Sequence, residues 1–387
     1  MAVIVFPPIM DWGFMKQRPQ QLMQQLARAG HTVYYCNKTQ ALDLVRDMKE
    51  KLDERNAGRE GLHTEACAEE SGLPSTSPVH DAFVESCSPL FSAQSVVELE
   101  ERLYLVKRHS VWLEQQWPSI RRHAAGRTII WCTLPQLAEQ AKQYGADFLV
   151  YDCVDDFPEL APYDPAMVAA ADWVVCTSER IHSRLRRQYP GIDISLVRNG
   201  YDTDMGLHLP CQEAQTPLLP NIGSGRWVGY VGAWAPWVDA ALLKRLAGRL
   251  PQGDRIVIIG PEFGRREGQS LLHIGQIPHA LLPAYIRKLA VCLIPFLPTP
   301  VALAANPIKA YEYLAAGKPV VATALPECMQ MNPHIDCCRS TDSFIHMVLH
   351  RLREPGDCSA RIRYAMKHTW AARVQELTQA IPVLSAE

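Results

Sequence analysis

Asn306-Pro307-Ile308-Lys309-Ala310-Tyr311-Glu312-Tyr313-Leu314-Ala315-Ala316-Gly317-Lys318-Pro319-Val320-Val321-Ala322-Thr323 decides the fold of this chain. The pattern is loop, short helix, glycine stop, buried strand. Pro307 suits an early helical position, where a missing N–H costs little. Gly317 suits the position just past the helix end, where a left-handed backbone is wanted. Pro319-Val320-Val321-Ala322 follows as a short apolar strand. Lys309 and Glu312 share one helix face. Spacing alone leaves two readings open. The pair could meet a phosphate and a ribose, or it could be an exposed ion pair worth about a few tenths of a kcal/mol.

The strand and helix alternation extends on both sides of this stretch. Upstream lie strands at Trp227–Val231, Arg255–Ile259, Leu272–Gly275 and Ala290–Pro295, with helices at Asp239–Leu250 and His279–Lys288. Downstream, residues 341–352 and 358–381 are helical, with a break near His368-Thr369. At the other end of the chain, residues 2–6 form a buried strand, 7–14 a loop, Met15–Arg28 a helix and His31–Cys36 a second strand. Strand, helix, strand at this spacing is a βαβ unit with a parallel sheet. Further strands are expected at Glu101–Val106, Thr128–Cys132, Phe148–Asp152, Trp173–Thr177 and Ser195–Arg198. Residues 40–56 read as a charged helix, and 58–92 as a long mobile surface segment. Composition shifts to Pro, Gly, Gln and Asn from Pro210 to Gly225, which marks a linker. The fold class is therefore α/β: two doubly wound parallel-sheet domains, 1–210 and 226–368, joined by 211–225, with a cleft between them. Such sheets gather ligands beyond the carboxyl ends of their strands, so the loop with Asp11 is a site candidate.

Composition narrows the function. The 387 residues are 48% hydrophobic and 21% charged, with net charge −2, which gives no sign of a nucleic-acid partner. Arg180, Arg184, Arg186 and Arg187, and Arg121, Arg122 and His123, are local clusters. They read as solvated helix faces or as a weak contact with an anionic membrane surface. None of the 12 cysteines has Cys-x-x-Cys spacing. No signal peptide opens the chain, and no apolar run reaches the roughly 20 residues of a spanning helix. A soluble, reduced, cytoplasmic protein is expected, with any membrane contact peripheral, at the inner face. The histidines show no metal spacing. A dinucleotide fingerprint, a phosphate loop and a nucleophile elbow are all missing, which argues against a dehydrogenase, an ATPase and a serine hydrolase. No cofactor or metal is expected. What remains is a cleft enzyme binding phosphate through backbone N–H groups and a few cations.

Four segments carry a family resemblance. Asn306-Pro307-x-Lys309-x-x-Glu312 with the residues to Thr323 resembles the donor-binding signature of the group 1, retaining, family 4-like glycosyltransferases of the GT-B fold. Trp12-x-x-x-x-Gln17-Arg18-Pro19-Gln20-x-Leu22 with Gly30-His31-x-Val33, then Tyr151 to Phe157, then Asn199-Gly200-Tyr201-Asp202, follow in the family's order. The match is most similar to the teichuronic-acid and surface-polysaccharide type. The resemblance implies two Rossmann-like domains, with the last helix, 369–387, crossing back onto the first. It implies a hexosyl transfer, with retention, from a nucleotide sugar to a saccharide or lipid-linked acceptor. Glu312 would accept from ribose hydroxyls, and Lys309 would sit near the diphosphate. Asn306, Gly260, the backbone around Gly232, Ala233 and Trp234, and the start of the 307–316 helix would complete the phosphate site. Ile277 and Pro278 would frame the base. The loop from Asp11 to Arg18 would face sugar and acceptor. With Asp155 and Asp156 at the cleft mouth, Asp11 and Arg18 make up the catalytic candidates.

Bland readings stand beside these. Asp155 and Asp156 could cap the helix after Phe157, Arg18 could salt-bridge its own domain, and Trp12 and Trp234 could be packing residues. The pattern also departs from the family. Of the two glutamates many members carry, the first aligns with Ala304. The usual cations after the 227–231 strand are missing until Lys244, so Lys309 and Arg18 are expected to supply the charge. Rival functions are a nucleotide-sugar 2-epimerase and a non-catalytic scaffold on the same fold.

Overall fold

The computed structural model describes residues 1–13, 15–38, 94–210, 224–263 and 270–385. The expected 40–56 helix, the 58–92 segment and nearly all of the 211–225 linker lie outside the described residues. Two sheets organise the rest. The first has strands β1 (Val3–Phe6), β2 (Thr32–Cys36), β3 (Val96–Glu100), β4 (Leu103–Val106), β5 (Thr128–Cys132), β6 (Phe148–Cys153), β7 (Trp173–Cys176) and β8 (Ile194–Leu196). Their order is β3-β4-β2-β1-β5-β6-β7-β8. Every pairing is parallel except β3 with β4. The second sheet has β9 (Trp227–Val231), β10 (Arg255–Ile259), β11 (Leu271–Gly275), β12 (Leu289–Ile294), β13 (Val320–Thr323) and β14 (Asp336–Cys338). It is parallel throughout, in the order β11-β10-β9-β12-β13-β14. In each sheet the chain order reverses beside the first strand, at β1/β5 and at β9/β12. A ligand crevice forms at such a switch point.

Strand alternation divides the first core. Ile4 and Phe6 face Leu22, Leu26 and Trp370 on one side, while Val3 and Val5 face Trp112 and Trp117 on the other. Helices cover both faces, so the strands are apolar along their whole length. The helix after β1 begins at Arg18, three residues later than Met15. Gln17 caps it with a reciprocal bond to Gln20, and Pro19 occupies the first turn. The expected Glu101–Val106 strand is the second arm of a hairpin. Its first arm, Val96–Glu100, reads Val-Val-Glu-Leu-Glu, with charges at every second position of its end, and Arg102 turns the chain with φ +65°.

Two chain crossings join the domains. At one, Asn199-Gly200-Tyr201 leaves the first domain; at the other, His368-Thr369-Trp370 returns to it. The crossings run side by side: Tyr201 N donates to His368 O at 2.8 Å and Trp370 N donates to Tyr201 O at 3.0 Å. A Cβ at position 200 would lie 2.8 Å from the Thr369 carbonyl carbon, so only glycine lets the two segments touch. Tyr201, Met205 and Leu207 belong to the second core. The first domain therefore ends near Gly200, ten residues before the expected boundary at 210, because apolar packing rather than the Pro/Gly-rich stretch sets the division. The Trp370–Ala380 helix lies against the Arg18–Arg28 helix, and Trp370, Val374 and Leu377 sit in the first domain's core.

Candidate active site

The loops after β1, β5 and β6 face the loops after β9, β10, β11 and β12 across one cavity of about 1520 Å³. Its second-domain wall is built on glycines. Gly260 has φ +147°, and a side chain there would meet Gly232 O at 2.1 Å. Gly232 has φ +141°, and a Cβ there would meet Lys309 Cε at 2.8 Å. The two glycines let the ends of β9 and β10 close up and bring Lys309 against the backbone.

Glu312 and Lys309 both line this cavity. Glu312 is 7% exposed, and among the described residues its carboxylate has neither a salt bridge to Lys309 nor a hydrogen bond. The exposed-pair reading therefore fails. Burial raises the Glu312 pKa to about 7; Lys309 and Lys16 oppose the rise and Asp202 adds to it. The Lys309 ammonium lies 5.1 Å from the centres of both the Tyr230 and Phe296 rings. Burial lowers its pKa to about 8, against the pull of Glu312. The helix carrying both, Ile308–Ala315, starts after Pro307 with no side-chain cap, and Pro307 and Ile308 line the cavity. Its first N–H groups suit an anion there. Ile277 and Pro278 also line the cavity. Next to them His279 is held neutral, its pKa lowered to about 4 chiefly by burial, with a buried Nε2 that has no partner.

Several expected roles do not survive the geometry. Gly232 N donates to Ile259 O and Trp234 N to Pro261 O, both at 2.8 Å, so neither amide can meet a phosphate. Ala233 stays at the cavity wall, whereas Trp234 packs its ring edge against His273 outside it. Asp11 is buried off the cavity, where Oδ1 accepts from Lys38 N at 3.1 Å; it shapes the loop. Asp156 turns away to Arg184 at 2.9 Å, and the next helical turn begins only at Ala161 behind Leu160, with no side-chain cap, so Asp156 does not cap it. Arg18 is 1% exposed and its Nε lies 2.8 Å from Asp152 Oδ2, while Nη1 reaches Val197 O at 3.0 Å. Its charge is paired inside its own domain, which makes it first a framework residue, although it also lines the cavity and its Nη2 has no hydrogen-bond partner. Asp155 lines the cavity with an exposed face, and the walls around it raise its pKa to about 6.

Asn306 reaches the cavity wall, but both ends of its side-chain amide are held by protein groups. Oδ1 accepts from Asn199 N at 2.9 Å and Tyr311 Oη at 3.2 Å, and Nδ2 donates to Glu327 Oε2 at 2.9 Å. Glu327 is 2% exposed and also accepts from Arg198 Nε at 2.7 Å and Glu179 N at 3.0 Å. Asn199, Arg198 and Glu179 belong to the first domain, so Asn306 and Glu327 form a polar latch between domains. Neither Glu327 nor Lys16 was singled out by the sequence. Glu327 stands four residues past Thr323 with no motif around it. Lys16 is the one cation between Pro7 and Gln17, a signal that was there to read.

With two Rossmann-like sheets, a returning C-terminal helix and a cleft at both switch points, the chain has the GT-B fold. No family model matches it. In sequence it is similar to the Bacillus subtilis (strain 168) protein named "Putative teichuronic acid biosynthesis glycosyltransferase TuaH", at 24% identity over 231 residues, 53% of this chain. The match spans 57%, little more than half, of that relative's length. In structure it is similar to HepE of Anabaena in complex with UDP, with a TM-score of 0.61 at 12% identity over 99% of this chain and 100% of that one. The trehalose 6-phosphate synthase of Burkholderia multivorans gives 0.58 at 12% identity over 99% and 98%. At such identities the likeness is one of fold. Among the described residues no helix is long and apolar enough to cross a membrane.

Proposed function

We propose that this protein is a glycosyltransferase, moving a hexosyl group from a nucleoside-diphosphate sugar to an acceptor hydroxyl with retention, in surface polysaccharide or glycoconjugate synthesis. The observation that carries the reading is Glu312, a nearly buried carboxylate with no hydrogen bond, at the wall of a GT-B cleft and one helical turn from Lys309. Desolvating a carboxylate without a partner is costly, and vicinal ribose hydroxyls would satisfy it. The diphosphate then lies toward Lys309, the Ala233 loop and the start of the Ile308–Ala315 helix.

The anomeric C–O bond to the distal phosphate breaks, and the electron pair leaves with the diphosphate. The acceptor oxygen bonds to the oxocarbenium-like carbon from the same face. Its proton passes to the departing phosphate oxygen. The site must hold negative charge on that phosphate, and Lys309 with fixed N–H dipoles does so in this reading without a metal. No strong general acid is needed for such a leaving group. In this reading Asp155, which lines the first-domain wall, orients the acceptor hydroxyl. Trp12, Phe157 and Leu160 give that wall an apolar character that suits a lipid-linked saccharide delivered at a membrane surface.

Thermal shift over UDP, GDP and dTDP and their sugars tests the reading. Uridine nucleotides lead the panel because HepE structures hold UDP and UDP-glucose. The expected result is a saturable rise in melting temperature for one diphosphate, lost in Glu312→Ala. No shift with any of them favours a non-catalytic scaffold. A product epimerised at C2 in the absence of acceptor favours the isomerase.

A further inference from the structure

The donor site as read above has one cation, Lys309, on its second-domain wall. A nucleoside diphosphate leaving group carries more charge than one ammonium balances. The segment after β9 supplies no cation until Lys244, and Arg18 is 1% exposed and tied by hydrogen bonds to Asp152, Val197 and Asn199.

Resting on the proposed function, we infer that Lys16 is the second cation of the donor site, reaching the diphosphate from the first domain. Lys16 lines the same cavity as Gly232, Lys309 and Glu312. It is the only Lys or Arg in the loop that follows β1 at the switch point. Its Nζ lies 2.6 Å from Asp202 Oδ2, and it keeps 20% exposure. Asp202 is itself fixed, accepting from Gln21 Nε2 at 3.0 Å and Asp204 N at 3.1 Å. An ammonium has three donors; one goes to Asp202, and two remain for a ligand. Asp202 lies past the Gly200 crossing, beside Tyr201 and Met205 of the second core. The ion pair therefore ties a first-domain loop to the second domain and holds Lys16 over the cleft. On the facing wall, Glu312 and the unpartnered Nε2 of His279 leave polar groups for ribose. Ribose there places the phosphates between the two lysines.

Calorimetry with UDP, GDP, dTDP and the matching nucleosides tests the assignment on wild type, Lys16→Met and Lys16→Arg. For the diphosphate that wild type binds, Lys16→Met is expected to weaken affinity by about 10- to 30-fold and to change nucleoside affinity by less than about 2-fold, since only the charge-assisted bonds to phosphate are lost. Lys16→Arg is expected to stay within about 3-fold of wild type, because it keeps charge and donors. Unchanged diphosphate affinity in Lys16→Met overturns the assignment while leaving the function reading intact. An equal loss for nucleoside and diphosphate marks a purely structural role and also overturns it. Wild type binding none of the three diphosphates overturns the function reading, and the assignment with it.

Discussion

Glu312 and Lys309 place the working range of the site in a narrow window. The carboxylate is needed ionised to accept from ribose, and its pKa is raised to about 7. The ammonium is needed charged, and its pKa is lowered to about 8. Donor affinity should therefore peak between these values and fall on both sides. Binding measured from pH 5.5 to 9.5 checks this; Glu312→Gln should flatten the acid limb and Lys309→Met the alkaline one. Stability of the free protein runs the other way. The folded state holds the Glu312 proton more tightly than the ordinary pKa of 4.5 allows, so stability falls as pH rises from about 4.5 to 7. Lys309 sheds its proton more readily than at the ordinary 10.5, so stability recovers as pH rises from about 8 to 10.5. Hence Glu312→Gln should bind donor about 10-fold or more weakly yet be more stable at pH 7.5, by on the order of 1 kcal/mol in urea unfolding. A variant that loses both sinks the idea that Glu312 is kept ionised for a ligand. These two residues were legible because helix spacing is local. For Arg18 the sequence leaves two readings open, because its partner Asp152, 134 positions along the chain, meets it only through folding.

At the scale of elements, the short helix Pro326–Met329 matters through one side chain. The three groups around Glu327 are all donors: an amide N–H₂, a guanidinium and a backbone N–H at the start of the Glu179–Gln188 helix. A glutamine would have to turn its own N–H₂ toward one of them. Glu327→Gln should cost on the order of 1–2 kcal/mol, seen as a lower urea midpoint, because three donors lose their carboxylate while Arg198 keeps only the exposed Glu179 at 3.4 Å. An unchanged midpoint would mean that the latch adds nothing. The opening stretch was read correctly as loop, helix, glycine and strand, since each step has a local signature. Asn306 at its head was assigned to the ligand instead. Its partners Asn199 and Glu327 lie on separate segments, and nothing at position 306 announces them. The Val96–Glu100 arm was missed for a related reason: five residues with two glutamates among them need β4 beside them to count as a strand.

The whole molecule is two sheets whose identity the sequence conveyed through apolar runs and punctuating glycines. Where one domain ends was not conveyed, because Tyr201, Met205 and Leu207 declare themselves only by the core they enter. The returning helix makes a further test. Trp370→Ala should destabilise the protein by about 3–5 kcal/mol, read from urea unfolding, since Trp370 is 1% exposed in the first domain's core. Gly200→Ala should cost about 1–3 kcal/mol by forcing the crossings apart.

That returning helix also sets a timetable for synthesis. A chain leaving the ribosome folds its earliest domain first when that domain is complete in sequence. Here Trp370, Val374 and Leu377 close a core begun by Ile4 and Phe6, so the first domain stays unfinished until the second has emerged. During that interval the Arg18–Arg28 helix has a bare apolar flank. Until Trp370 arrives, that flank is exposed apolar surface of the kind chaperones bind.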